Sequence, residues 1–315
     1  MIAYISPKTS KNLTYDGNVL ANDFGEKFPI VHSIPRFVEN GNYAKAFGFQ
    51  WKTFVNTQLD SLTNTNESKI RLERCLGYTL DNLKGKNVLE VGAGAGRFTE
   101  LLVKAGAFTH SVDLSNAVEA NLENIGQQPN YQIAQANVYE LPYPKESFDV
   151  VICLGVIQHT PSSEKTIKAL WEMVKPSGEL IIDHYKWRPG YYTTPGPYFR
   201  FFLKRMSPER SRKIVEKLCS FYFPIHWAVR KNAILTWIVR HLSPVLENMA
   251  RFESQGFEYN LLLSQLETYD HLTDFYKYLI TKRELISILN KLPKMQEHSL
   301  REDGNGYESK ITKLI

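Results

Sequence analysis

From residue 87 onward, short apolar runs alternate with stretches whose apolar positions recur every three or four residues. The runs "NVLEV" (87–91), "HSVDL" (110–114), "YQIAQANV" (131–138), "DVVICLGV" (149–156) and "ELIIDHY" (179–185) predict strands. The stretches between them, "RFTELLVKAG", "AVEANLENIG" and "SEKTIKALWEMVKPSG", predict helices. Apolar strands interleaved with helices imply a mostly parallel sheet covered on both faces, because each crossover places a helix on a face. The expected fold class is therefore α/β and Rossmann-like.

Outside this rhythm the pattern changes. Residues 1 to about 40 are rich in turn formers, and "FPIVHSIPRFV" reads as extended chain broken by Pro29 and Pro35. Residues 43–83 read as helical, with apolar positions at 70, 72, 76, 80 and 83, and Gly85 ends that stretch. Residues 186–265 are aromatic, basic and helical, an expected inserted cap. "TKRELISILNKL" (281–292) opens on a capping box, and "MQEHSL" and "GYESKITKLI" predict two final strands that return to the sheet edge.

Composition narrows the class. With 315 residues, 43% hydrophobic and 23% charged, the chain is an ordinary globular one. The N-terminus lacks the pattern of a secretory signal, and "AILTWIV" is too short to span a bilayer. Cys75, Cys153 and Cys219 are scattered, without zinc spacing, so a reducing cytoplasmic location is expected. The charge is uneven. Residues 186–240 carry twelve Lys and Arg against two acids, Glu209 and Glu216, a local net charge of +10. This implies an anionic acceptor, an anionic membrane surface met peripherally, or only a solvated helical face. Nucleic acid ranks lower because no RNA-binding motif accompanies the charge.

The chemistry centres on "VLEVGAGAGRF". Gly92, Gly94 and Gly96, between a strand and a helix, allow close backbone approach to a ligand at a positive helix end. Arg97 stands where a dinucleotide fingerprint needs its third glycine, which disfavours a nicotinamide-dependent oxidoreductase. Glu90 can orient the loop or a cofactor's amino-acid end. Asp113, ending the next strand, can accept hydrogen bonds from ribose hydroxyls.

"VLEVGAGAGRFTELL", "SVDLSNAVEAN", "SFDVVICLGVIQHT" and "VKPSGELIIDHY", in that order, closely resemble the successive motifs of class I S-adenosylmethionine-dependent methyltransferases. The resemblance spans residues 86–185. It implies S-adenosyl-L-methionine as cofactor, held by Glu90, Gly92, Ala93, Gly94, Gly96, Asp113, Leu114, Asn137, Val138, Leu154, Gly155 and Gln158. Ala93 stands where many relatives carry cysteine, and Asn137 where they often carry aspartate. His159, His184 and Tyr185 are the candidate catalytic residues, since ligands sit outside the carboxyl ends of parallel strands. A packed or capping role competes for both histidines. Asp183 and His184 are adjacent on a strand and point to opposite faces, which argues against a simple dyad. Tyr269, Asp270, His271 and Asp274 are weaker candidates, with caps and a surface turn the blander reading.

"FPIVHSIPRFVENGNYAKAFGFQWKTF" resembles the N-terminal region of bacterial methyltransferases that begin with a small Trm112-like zinc module. Here "SPKT" replaces the first cysteine pair and "ANDFGEKFPI" lacks the second, so a metal-free remnant is expected. The expected organisation is 1–42 (this module), 43–85 (helical extension), 86–185 (cofactor-binding core), 186–265 (insertion) and 266–315 (completion of the core). The expected activity is methyl transfer to a small-molecule or glycan- or lipid-linked acceptor, at a hydroxyl oxygen. A non-catalytic scaffold with a partner-binding insertion and an RNA methyltransferase are the alternatives, with no oligomeric state implied.

Overall fold

The computed structural model describes residues 1–38, 59–304 and 306–315, with the side chain of Arg251 left out. The helical expectation for residues 43–58 lies outside the described residues, as does the resemblance beyond residue 38. The described chain forms two compact units. One comprises residues 1–38, 59–186 and 276–315, and the other residues 187–275.

The first unit is built on a seven-stranded sheet. β5 (Asn87–Val91), β6 (Phe108–Asp113), β7 (Tyr131–Gln135), β8 (Phe148–Cys153) and β9 (Val174–Tyr185) are parallel. β10 (Met295–Asp303) and β11 (Gly306–Lys313) close one edge as an antiparallel hairpin, giving the order β10-β11-β9-β8-β5-β6-β7. The Rossmann-like expectation holds, including the return of the last two strands to the sheet. Four short strands, β1 (Thr14–Asp16), β2 (Val19–Ala21), β3 (Lys27–Val31) and β4 (Ile34–Pro35), form a separate antiparallel sheet near the N-terminus.

Because successive strand residues face opposite ways, the main sheet separates two cores. Leu89, Val91, Val151, Cys153, Leu180 and Ile182 join the core that includes α4 (Ser163–Met173) and α9 (Lys282–Leu289). Val88, Val150, Ile152 and Ile181 join the core that includes α1 (Glu67–Leu76) and α2 (Thr99–Lys104). The alternation decides where each polar side chain near a strand end points. α3 (Ala117–Ile125) completes the cover over β6 and β7. The capping box expected at Thr281–Glu284 is formed.

One boundary differs from the sequence reading. α4 stops at Met173 and β9 starts at Val174, so "VKPSG" is strand rather than helix tail. Pro176 has no amide hydrogen to continue the helix, and Ser177 takes a left-handed φ of 61°.

The second unit is helical: α5 (Gly196–Leu203), α6 (Pro208–Val229), α7 (Ala233–Leu242) and α8 (Gly256–Thr273). α8 runs unbroken across residue 265, so the insertion's compact unit extends to Phe275. Its small core joins Leu203, Val215, Cys219, Val245, Tyr269 and Leu272.

Candidate active site

Parallel pairing brings the carboxyl ends of the strands level, with Val91 beside Val112, Asp113 beside Gln135 and Cys153 beside Ile182. The glycine loop, Asp113, Asn137, the segment 154–159 and residues 183–185 therefore leave the sheet along one edge.

The loop owes its shape to left-handed backbone. Gly92, Gly94 and Gly96 have φ of 79°, 52° and 104°, a region L side chains rarely adopt. Gly92 is also sterically confined, since a Cβ there would lie 2.2 Å from Val156 Cγ2. The amides of Gly92 and Ala93 donate to Val112 O, and that of Gly94 donates to Asp113 Oδ2 at 2.9 Å. Asn121 Nδ2 donates to Gly94 O and Asn124 Nδ2 to Ala95 O. Side chains of α3 thus hold the loop from beneath.

Glu90 takes part in this support. It lies on the α2 face of β5, where its Oε2 accepts from Thr99 Oγ1 at 2.6 Å and Ser111 Oγ at 2.9 Å. Burial pushes its carboxyl up to about 7, although both hydroxyls pull the other way. Asn121 donates to Thr99 Oγ1 and accepts from Tyr131 OH, so a buried polar network connects the loop, α2, α3 and two strands. Sequence reasoning missed Thr99, Ser111, Asn121 and Tyr131. The one available signal was an asparagine on the buried face of α3.

Asp113 Oδ1 accepts from the amide and hydroxyl of Ser115. With Gly94 on Oδ2, three of about four acceptor positions of the carboxylate are used, and one on Oδ2 remains for a ligand hydroxyl. Burial raises its pKa. Leu114 O accepts from Gln135 Nε2. Asn137 Oδ1 accepts from the Tyr139 amide, so this side chain closes a turn. Val138 and Leu154 are buried apolar walls.

Asp183 and His184 confirm the opposite-face argument. Asp183 points to the α1 face, accepting from Arg71 Nη2 at 2.5 Å and from the Gly155 amide at 2.6 Å. His184 points to the other face. It is wholly buried, its Nδ1 donates to Tyr185 O, and its Nε2 accepts from Ser163 Oγ at 2.8 Å. Burial lowers its pKa. Its basic lone pair is taken up by Ser163, far from solvent, which favours the packed role over that of a base. His159 is arranged differently. Its Nδ1 donates to Tyr276 O at 3.2 Å, which fixes the basic lone pair on Nε2. Its ring meets the Tyr185 ring edge-on at 5.3 Å, and Lys277 Nζ lies 5.2 Å from the Tyr185 ring centroid.

Gln158 supplies the test of fit for a bound ligand. Its side chain is fully buried, and neither Nε2 nor Oε1 has a hydrogen-bond partner among the described residues. An orphaned buried amide costs on the order of 1–3 kcal/mol, which a polar ligand at this edge would recover. With the remaining Asp113 acceptor and the glycine loop, the residues fit a small polar adenosyl ligand.

Residues 89–182 match the methyltransferase-domain family. The match covers under a third of the chain, and it contains the glycine loop, Asp113 and Gln158. Over 104 residues the chain is 36% identical to the ubiquinone biosynthesis O-methyltransferase of Azoarcus sp., covering 32% of this chain and 44% of that one. Over 127 residues it is 32% identical to the Coxiella burnetii protein of the same name, covering 38% and 53%. The chain thus spans about half the length of the curated relatives it matches. Magnesium protoporphyrin IX methyltransferase from Synechocystis is similar over 87% of this chain and 97% of its own, with 15% identity and a TM-score of 0.44. The methyltransferase domain supports S-adenosylmethionine as the cofactor this edge would take, as the motifs implied.

The weaker candidates fall in the second unit. The side chain of Asp274 is buried, and its Oδ1 accepts from Arg200 Nε at 2.5 Å. His271 lies against Gly196 and the Tyr191 ring. Among the described residues no group of three or more His, Cys, Asp or Glu could hold a metal ion.

Proposed function

We propose that this chain is an S-adenosylmethionine-dependent methyltransferase that methylates a hydroxyl oxygen of a small molecule or glycan precursor. The observation that carries the reading is the methyltransferase-domain match falling on the glycine loop and the strand ends beside it. The names of the two relatives support oxygen as the acceptor atom.

When bound, the cofactor supplies an electrophilic methyl group on a sulfonium. The protein's part is to hold the acceptor in line and remove its proton. Gly92, Ala93, Gly94 and Gly96 would let the cofactor approach the backbone, Asp113 would accept from a ribose hydroxyl, and Leu114, Asn137 and Val138 would border the adenine. Leu154, Gly155 and Gln158 would meet the cofactor on the acceptor side. Glu90 acts through Thr99, as a support of the loop. His159 Nε2 is the base we assign, with Tyr185 packed on its ring to fix orientation and Lys277 beside that ring favouring an anionic acceptor.

The N-terminal sheet fits a module that dispenses with metal. Glu26 accepts from Ser6 Oγ, Thr9 Oγ1 and Asn22 Nδ2, tying together the two stretches where the resemblance to Trm112-like modules implies cysteine pairs. Elemental analysis of the purified chain checks this; stoichiometric zinc would overturn it.

The central experiment is calorimetric titration with S-adenosylmethionine, S-adenosylhomocysteine and NAD(H), followed by transfer of labelled methyl to a deproteinised cell extract. Binding of the adenosyl ligands alone, with labelled product, is the expected result. Binding of NAD(H) alone would refute the reading, and cofactor binding without transfer would favour a scaffold.

A further inference from the structure

In α7, "AILTWIVRHL", no residue is buried, although seven of its ten positions are apolar. Ile234, Trp237 and Leu242 are 73%, 62% and 67% exposed. The half-buried positions are Thr236, Val239 and His241, so the helix turns its most apolar surface outward. An apolar face of this kind needs an occupant, since monomeric proteins rarely expose one without a use.

The neighbouring helix shows what kind. Along α6, Lys213, Lys217, Phe221 and Ile225 are all exposed and stand four residues apart. That spacing aligns them on one face, passing from cationic to apolar toward the end that leads into α7. Lys231 then sits exposed in the short connection before α7. Cationic side chains bordering a Trp- and Ile-rich surface match the boundary between headgroups and acyl chains: indole and aliphatic groups enter, while ammonium heads remain among anionic phosphates. Among the described residues no helix is long and apolar enough to cross a membrane.

We propose that α7 and the adjoining end of α6 form a peripheral docking surface for an anionic lipid bilayer. The exposed ammonium groups of Lys213, Lys217 and Lys231 select anionic over zwitterionic lipid. A soluble protein partner or second copy would not require this graded arrangement of lysine and aromatic positions. The inference does not depend on the methyltransferase reading, and cofactor titration distinguishes the failure of one from that of the other.

The test is co-sedimentation of the full chain with phosphatidylcholine vesicles, with and without about 30% phosphatidylglycerol. Partition into the anionic vesicles is expected, weakening with salt. Trp237→Asp and, separately, the pair Lys213→Glu/Lys217→Glu should each reduce partition at least tenfold while leaving cofactor affinity unchanged. Absence of partition, equal partition into both vesicle types, or partition unaffected by both variants would overturn the proposal. So would a lipid-free dimer that Trp237→Asp dissociates in sedimentation velocity, which would assign the face to a second copy.

Discussion

Arg71 and Asp183, 112 positions apart in the chain, form an ion pair at 2.5 Å whose carboxylate also receives the amide of Gly155. The Asp183 side chain has no exposed surface and that of Arg71 has 13%. The pair ties α1 to the end of β9 and to the turn after β8, where the proposed acceptor side begins. We propose Asp183 as a positioning residue.

Removing one partner of such a pair strands a charge. Arg71→Ala is expected to cost about 3 kcal/mol of stability, and Asp183→Asn a comparable amount. Replacing both with apolar residues should cost clearly less than the sum of the two. Urea unfolding of the three variants measures this. Strict additivity would show that the two side chains act separately.

In the glycine loop, replacement of Gly92 is opposed both by its left-handed φ and by Val156. Gly92→Ala should weaken S-adenosylmethionine binding by at least tenfold, since the loop must shift to admit a methyl group. Calorimetry reads the change. Wild-type affinity in a folded variant would remove the loop from the binding site.

Glu90 predicts a pH dependence with a definite sign. Its folded pKa of about 7 lies above the 4.5 of an unperturbed glutamate, so folding favours the protonated form. The associated stability is complete below about pH 4.5 and is lost as pH rises through 7. Glu90→Gln mimics the neutral form. Its stability relative to wild type should therefore increase by about 3 kcal/mol between pH 4.5 and pH values above 7. Parallel unfolding curves across that range would contradict the assignment.

The two histidines should separate in kinetics. His159→Ala is expected to lower turnover about 100-fold with cofactor affinity retained, as for a lost base. His184→Ala should destabilise by about 1–3 kcal/mol through the orphaned Ser163 and Tyr185 groups, with turnover per folded molecule unchanged. Labelled-methyl transfer together with thermal unfolding distinguishes them. The reverse pattern would return His184 to the chemistry.

Much was legible in the one-dimensional pattern. Short, nearly continuous apolar runs separated by helical periods implied a covered parallel sheet, because such strands are apolar on both faces. Strand–glycine–helix spacing located the loop, since only glycine takes those left-handed angles without strain. The alternation rule even separated Asp183 from His184.

What each carboxylate and imidazole touches was a matter for the tertiary structure alone. Glu90 meets Thr99 and Ser111 only because β5 pairs with β6 and α2 folds back over it. Asp183 meets Arg71 only because α1 packs on that face, and the lone pair of His184 is taken by Ser163 because α4 covers the other. Hydrogen bonds act over about 3 Å, whereas sequence motifs record only order along the chain. Sequence therefore determined which elements form and which edge of the sheet collects the chemistry. Packing decided which partners each of those groups meets.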